Sequence, residues 1–179
     1  MINFNSKITQ KVLPYFFLNQ EKEMYLNEIA RKFAVDRANL SRKLSEWTAQ
    51  GILQKNKMGN LSMYKINKKY PMFSEMKKMI EKSFGLERKL RQSLEKIKGL
   101  KSAYIFGSYA QDVLSAESDI DLLLVGSHDF LGVQKEIIKL QKFFDREINV
   151  IDMTEEELNK KKKSELIKNI FANKNIKLI

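Results

Sequence analysis

A glycine–serine pair, Gly107-Ser108, closes one apolar run, Ala103–Phe106. Ten residues further on, Asp119-Ile120-Asp121 opens the next, Leu122–Val125. Side chains alternate along a strand, so Asp119 and Asp121 share one face and Ile120 takes the other. Two adjacent carboxylates repel each other and resist desolvation. A divalent cation removes that cost, and Mg²⁺ in particular is held by one or two carboxylates, waters and substrate phosphate oxygens. A Gly-Ser turn offers backbone N–H groups and a hydroxyl to phosphate. The two features together point to metal-assisted chemistry on a nucleotide. The bland alternative is a solvated strand end whose acids cap a turn.

The pattern G-S-x10-D-x-D ahead of an apolar strand resembles the minimal nucleotidyltransferases of the DNA polymerase β superfamily, over roughly residues 99–152. The resemblance implies that Gly107 and Ser108 bind the triphosphate of an NTP, ATP being the expected one. It implies that Asp119 and Asp121 are catalytic and hold Mg²⁺. The implied reaction is transfer of NMP to a hydroxyl with release of pyrophosphate. Two metal ions roughly 3.5–4 Å apart would clamp the attacking and leaving oxygens. The chain departs from the family pattern in three ways. A third carboxylate is usual on a later strand, and the corresponding stretch, Glu147-Ile148-Asn149-Val150-Ile151, puts an amide there. Either Asn149, through its carbonyl oxygen, or Glu147, two residues earlier on the same face, completes the metal site. Tyr109 and Gln111 stand where the family often has arginines. Residues 99–179 also leave little room for a base-reading pocket.

Charge is spread unevenly. Residues 1–70 carry 13 Lys+Arg against 5 Asp+Glu, whereas residues 99–179 carry 12 against 13. Such asymmetry suggests different partners for the two halves, the basic one suited to a polyanion. With no cysteine, disulfides and thiolate metal sites are excluded. No apolar run reaches the length of a membrane span, and the first residues lack the apolar stretch of a signal peptide. The expectation is a cytoplasmic protein with no membrane contact.

In the basic half, Leu26, Ile29, Ala30 and Phe33 recur at helical spacing. After a short turn at Ala34-Val35, Asp36 caps a second helix with Leu40, Leu44 and Trp47 on one face. The other face gathers Arg37, Asn39, Ser41, Arg42 and Ser45, side chains suited to base edges and phosphates in a major groove. Gly51 ends that helix, and two strands follow as a hairpin around Met58-Gly59-Asn60, decorated by Lys55, Lys57 and Lys65. This order resembles a winged helix-turn-helix of bacterial and archaeal transcription regulators, over roughly residues 8–68. The resemblance implies DNA as a partner and a homodimer across two half-sites.

The fold class expected is α+β or α/β, in three parts. Residues 1–70 form a winged helix-turn-helix. Residues 71–98 form a connecting helix, interrupted at Gly85. Residues 99–179 form a small mixed-sheet nucleotidyltransferase domain, with a helix over Val133–Phe144, a third strand at Ile148–Ile151, a capping box at Thr154 and Glu157, and a last short helix. His128, the only histidine, is expected at the surface. The resemblance implies an NMP transferase acting on a protein hydroxyl, an antitoxin-like regulator of a HEPN-type partner that also represses its operon. The alternative is a DNA-binding regulator whose degenerate transferase domain binds nucleotide without turnover. A third reading is a pair of inert interaction modules.

Overall fold

The computed structural model describes residues 2–113 and 118–179, so part of the spacer between Ser108 and Asp119 lies outside the described residues. The chain divides into two compact units, Met1–Arg88 and Lys89–Ile179.

In the first unit, α1 (Lys7–Leu18) is followed by β1 (Met24–Tyr25), α2 (Leu26–Phe33), α3 (Arg37–Ala49), β2 (Leu53–Met58), β3 (Leu61–Ile66) and α4 (Phe73–Phe84). The strands form a sheet in the order β1-β3-β2, all pairs antiparallel. The Asp36 side chain accepts from the Asn39 N–H at 2.8 Å and so caps α3. At the other end Gly51 takes φ +77°, the Ile52 N–H reaches the Trp47 carbonyl and the Gly51 N–H that of Thr48. Those two bonds satisfy carbonyls that the helix end would leave open. Leu40, Leu44 and Trp47 are fully buried, as their spacing predicts. The two-residue strand β1 has no counterpart in the sequence reading; it exists because it pairs with β3, a long-range contact.

The segment 71–98, read as a connecting helix, holds two helices, α4 and α5 (Leu86–Leu94). Gly85 between them is extended. Each half carries its own buried stripe, Met76 and Ile80 on α4, then Leu86, Leu90 and Leu94 on α5.

The second unit is built on a four-stranded sheet in the order β6-β5-β4-β7. Its elements are β4 (Leu100–Phe106), α6 (Gly107–Ala110), β5 (Ile120–Gly126), α7 (Phe130–Phe144), β6 (Ile148–Met153), α8 (Glu155–Lys161), α9 (Glu165–Ala172) and β7 (Ile176–Lys177). β4 and β5 run antiparallel, while β5 and β6 run parallel with α7 as the crossover, so the sheet is mixed. Central β5 is buried from Leu122 to Gly126, the pattern of a strand covered on both faces. Leu123 and Val125 pack with Met153, Ile167 and Ile170, which places α9 on one sheet face together with Tyr104, Phe106 and Ile151. Thr154 and Glu157 make the full reciprocal capping box at the start of α8.

The last short helix expected in residues 164–179 is α9, and the strand that follows it has no counterpart in the sequence reading. After α9, β7 pairs with β4 at Tyr104↔Lys177 and Ile105↔Ile176, and Leu178 is fully buried. The added strand gives the outer N–H and C=O groups of β4 a partner, which an open sheet edge lacks.

Truncating Leu123 to alanine removes a fully buried side chain from the centre of this sheet. It should destabilise the second unit by roughly 2–5 kcal/mol, read as a lowered urea midpoint at unchanged slope. An unchanged midpoint would mean that the β5–α9 cluster is not the core of the unit.

Candidate active site

The two motif halves meet because of strand register. Phe106 pairs with Asp121 across β4 and β5, so the next residue, Gly107, turns over the start of β5. Gly107 has φ +72°, and a Cβ there would collide with Asp121 Oδ2. The left-handed backbone favours glycine here, and the absent side chain lets the carboxylate approach closely. Ser108 follows in the single turn of α6 and is half-buried.

Ile120 is fully buried and anchors the acidic pair. Its alternation turns Asp119, exposed, and Asp121, half-buried, to the sheet face that also carries Leu123 and Val125. Across the parallel pair Asp121 lies opposite Asn149. The Asn149 Nδ2 donates to Asp119 Oδ2 at 3.2 Å. Burial holds the Asp121 carboxyl above the usual aspartate range; the Asn149 amide pulls it down, and the Asp119 charge pushes it up again.

Of the two residues expected to complete the site, the structure places Asn149 against the pair. Glu147 is exposed, and its backbone carbonyl accepts from the Ile120 N–H. Among the described residues no three Asp, Glu, His or Cys side chains gather as a metal-binding group. The donor set is thus two carboxylates and one amide. That set fits Mg²⁺, which takes few protein ligands and keeps waters and substrate oxygens. A half-turn of the Asn149 amide would present its carbonyl oxygen.

His128, expected at the surface, is buried instead. Its side chain is 1% exposed, with Nε2 3.2 Å from Asp152 Oδ1. It follows the far end of β5, about 20 Å from the acidic pair at strand spacing, so it takes no part in the site. Beside Gly107 lies an open cleft of about 160 Å³, lined by Phe106 and Gln111 and by residues of α9 and its C-terminal turn. Sequence reading missed this cleft, because its walls come from segments more than fifty residues apart.

A model of the nucleotidyltransferase domain matches residues 87–176, half of the 179-residue chain. The chain belongs to the nucleotidyltransferase domain family. It is also similar to "Putative protein adenylyltransferase MJ0604" of Methanocaldococcus jannaschii, 44% identical over 62 residues, or 35% of this chain and 62% of that protein. The chain thus spans less than two thirds of that relative. Among solved structures, a toxin–antitoxin complex with AMP-PNP is 24% identical and covers 52% of this chain and 72% of its own, with TM-score 0.39. A mutant toxin–antitoxin MntA-HpeT is 21% identical over 52% and 73%, with TM-score 0.40. A tri-AMPylated Shewanella oneidensis HEPN toxin with its MNT antitoxin is 18% identical over 52% and 72%, with TM-score 0.34.

Outside the nucleotidyltransferase domain, α3 exposes Arg37, Asn39, Arg42 and Ser45, with Ser41 half-buried beside them. Arg42 donates to the Asn39 side-chain oxygen, and Arg37 Nε donates to Asn27 Oδ1 at 2.8 Å. Lys55 and Lys57 are exposed on β2, with Lys55 Nζ 5.9 Å from the Tyr64 ring centre.

The raised pKa of Asp121 has a measurable consequence for stability. Because the folded pKa is raised, the stabilisation linked to protonation is complete below the unfolded value, about 3.9. It is lost as pH rises through the folded value. Ionised Asp121 therefore destabilises the chelator-treated protein at neutral pH. Asp121→Asn should raise its melting temperature at pH 7, and the gain should shrink toward pH 3. Equal melting of the two proteins at both pH values would show that the acidic pair carries no such conflict.

Proposed function

We infer that the protein transfers NMP from an NTP, ATP first among them, to a hydroxyl of a protein partner. One observation carries the reading: strand register sets the left-handed Gly107 turn directly against Asp121, with Asp119 and Asn149 beside it. A phosphate at the turn would lie next to the carboxylates. Asp119, Asp121 and the Asn149 carbonyl would hold Mg²⁺. When bound, the metal supplies charge neutralisation for the phosphate oxygens and activation of the attacking oxygen. The chain itself contributes position: backbone N–H groups and the Ser108 hydroxyl orient the phosphates, while the rigid strand start fixes the acids. Protein as acceptor takes its support from the 44%-identical relative named as a protein adenylyltransferase. A HEPN-type partner is the acceptor that the sequence resemblance implies.

The first unit we read as a winged helix-turn-helix that binds DNA, through Arg37, Asn39, Ser41, Arg42 and Ser45 on α3 and Lys55 and Lys57 on the hairpin. Support comes from the exposed basic face and from the helix–helix–hairpin order, with β1 pairing beside the hairpin. Homodimerisation would let two such units span two half-sites. A cytoplasmic regulator that modifies a partner and binds its own promoter combines both units.

A second reading has one observation in its favour. Asn149 is uncharged where a third carboxylate is usual, and Glu147 does not replace it. On that reading the site binds nucleotide without turnover and reports it to DNA binding.

Label transfer from α-labelled ATP to a HEPN-type partner separates the two. Asp119→Asn and Asp121→Asn should each lower transfer by roughly 100-fold or more. Nucleotide binding without any transfer by the wild type would leave the sensing reading in place. For the DNA unit, Lys55→Ala and Lys57→Ala should each flatten the slope of log affinity against log salt by about 0.9 per lost phosphate contact. Binding that ignores salt in the wild type would remove DNA as the partner.

A further inference from the structure

We propose that Lys174, carried by the C-terminal turn, is the cation that meets the outer phosphates of the bound nucleotide. The inference rests on the nucleotidyl-transfer reading and deepens it. Nothing in the Gly-Ser motif announces this lysine.

Its position follows from sheet register. β7 pairs with β4 at Ile105↔Ile176 in antiparallel sense. The residues just before β7 thus run past the end of β4, toward the Gly107 turn. Gly107 and Lys174 accordingly line the same cleft. The cleft opens on the correct face. Phe106 belongs to the cluster of Leu123 and Val125, the face to which Asp121 also points.

The turn that carries Lys174 is tied down on both sides. Asn173 Nδ2 donates to the Asn169 carbonyl at 2.9 Å, and Asn175 Nδ2 donates to the Ile170 carbonyl at 3.1 Å. The backbone of the lysine is thus held while its own side chain stays 60% exposed. A flexible charged arm on a fixed base suits a ligand whose outer charge sits several ångströms from the reacting atom.

Charge makes the same point. A polyphosphate laid along the Gly107 turn brings several negative charges up to two carboxylates. Among the described residues lining the cleft, Lys174 is the one charged side chain, and Gln111 beside it is neutral. Lys174 Nζ lies 2.7 Å from Asp112 Oδ2, in a pair whose side chains are 60% and 73% exposed. Exposed pairs of this kind are held weakly, so the lysine can exchange one carboxylate for a more highly charged phosphate. Asp112 would serve as its parking place when the cleft is empty.

The experiment is isothermal titration of the full chain with Mg-ATP and with AMP, which has neither outer phosphate. Lys174→Ala should weaken Mg-ATP binding about tenfold and leave AMP binding unchanged, while Lys174→Arg should keep Mg-ATP affinity near wild type. Circular dichroism confirms that the variants fold. If Lys174→Ala binds Mg-ATP as the wild type does, or loses ATP and AMP equally, the proposal fails while the nucleotide reading stands. If the wild type binds neither nucleotide, the nucleotide reading fails and takes this proposal with it.

Discussion

The second unit depends on one constraint, the register of β5 between its neighbours. Ile120 enters the core, and that single burial decides where Asp119 and Asp121 go. A slip of one residue would turn both acids to the face that Ile120 occupies, because the strand period is two. The antiparallel pairing to β4 then delivers Gly107 to Asp121, and the parallel pairing to β6 delivers Asn149. The site is therefore not a separate construction laid on the sheet. It is what the hydrophobic alternation leaves at one sheet end once the core has chosen its face.

Local conflict marks the same place. Several elements of the second unit follow the ordinary rules: α8 has its capping box, α7 buries Val133, Ile137, Leu140 and Phe144 on one face, and the β4 edge is covered. At the head of β5 two like charges sit together, one partly buried and held above its usual pKa. A glycine is forced into a left-handed conformation against one of them. Chains that are consistent at every other level break the rules at functional sites, and here the break coincides with the family motif.

Sequence reading reached the local parts of this structure and stopped at the long-range ones. The cap at Asp36, the helix end at Gly51 and the capping box at Thr154 are signals within four or five residues, and all are realised. The alternation around Asp119 and Asp121 likewise needs only neighbours. Asn149 was legible because it stands on a strand of similar pattern. What escaped was set by pairing between distant segments: β1 through β3, β7 through β4, and the burial of His128 against Asp152. Lys174 escaped for the same reason, being 62 residues from Asp112. The family pattern points to Asn149 and strand alternation offers Glu147 on the same face; the contact with Asp119 is made by the amide.

Asn149 also changes the charge balance of the site. Two carboxylates and an amide together carry two negative charges, enough to match a single divalent cation. A third carboxylate would leave a surplus that favours more positive charge before any substrate arrives. With the amide in place, further positive charge is called for only when phosphates enter, and it must then come from the nucleotide's own counter-ions or from side chains at the cleft. The same substitution lowers the repulsion that Asp121 feels, because a neighbour that donates a hydrogen bond replaces one that would repel. On the proposed nucleotide reading, the side chains of the cleft beside Gly107 therefore matter as much as the acids themselves.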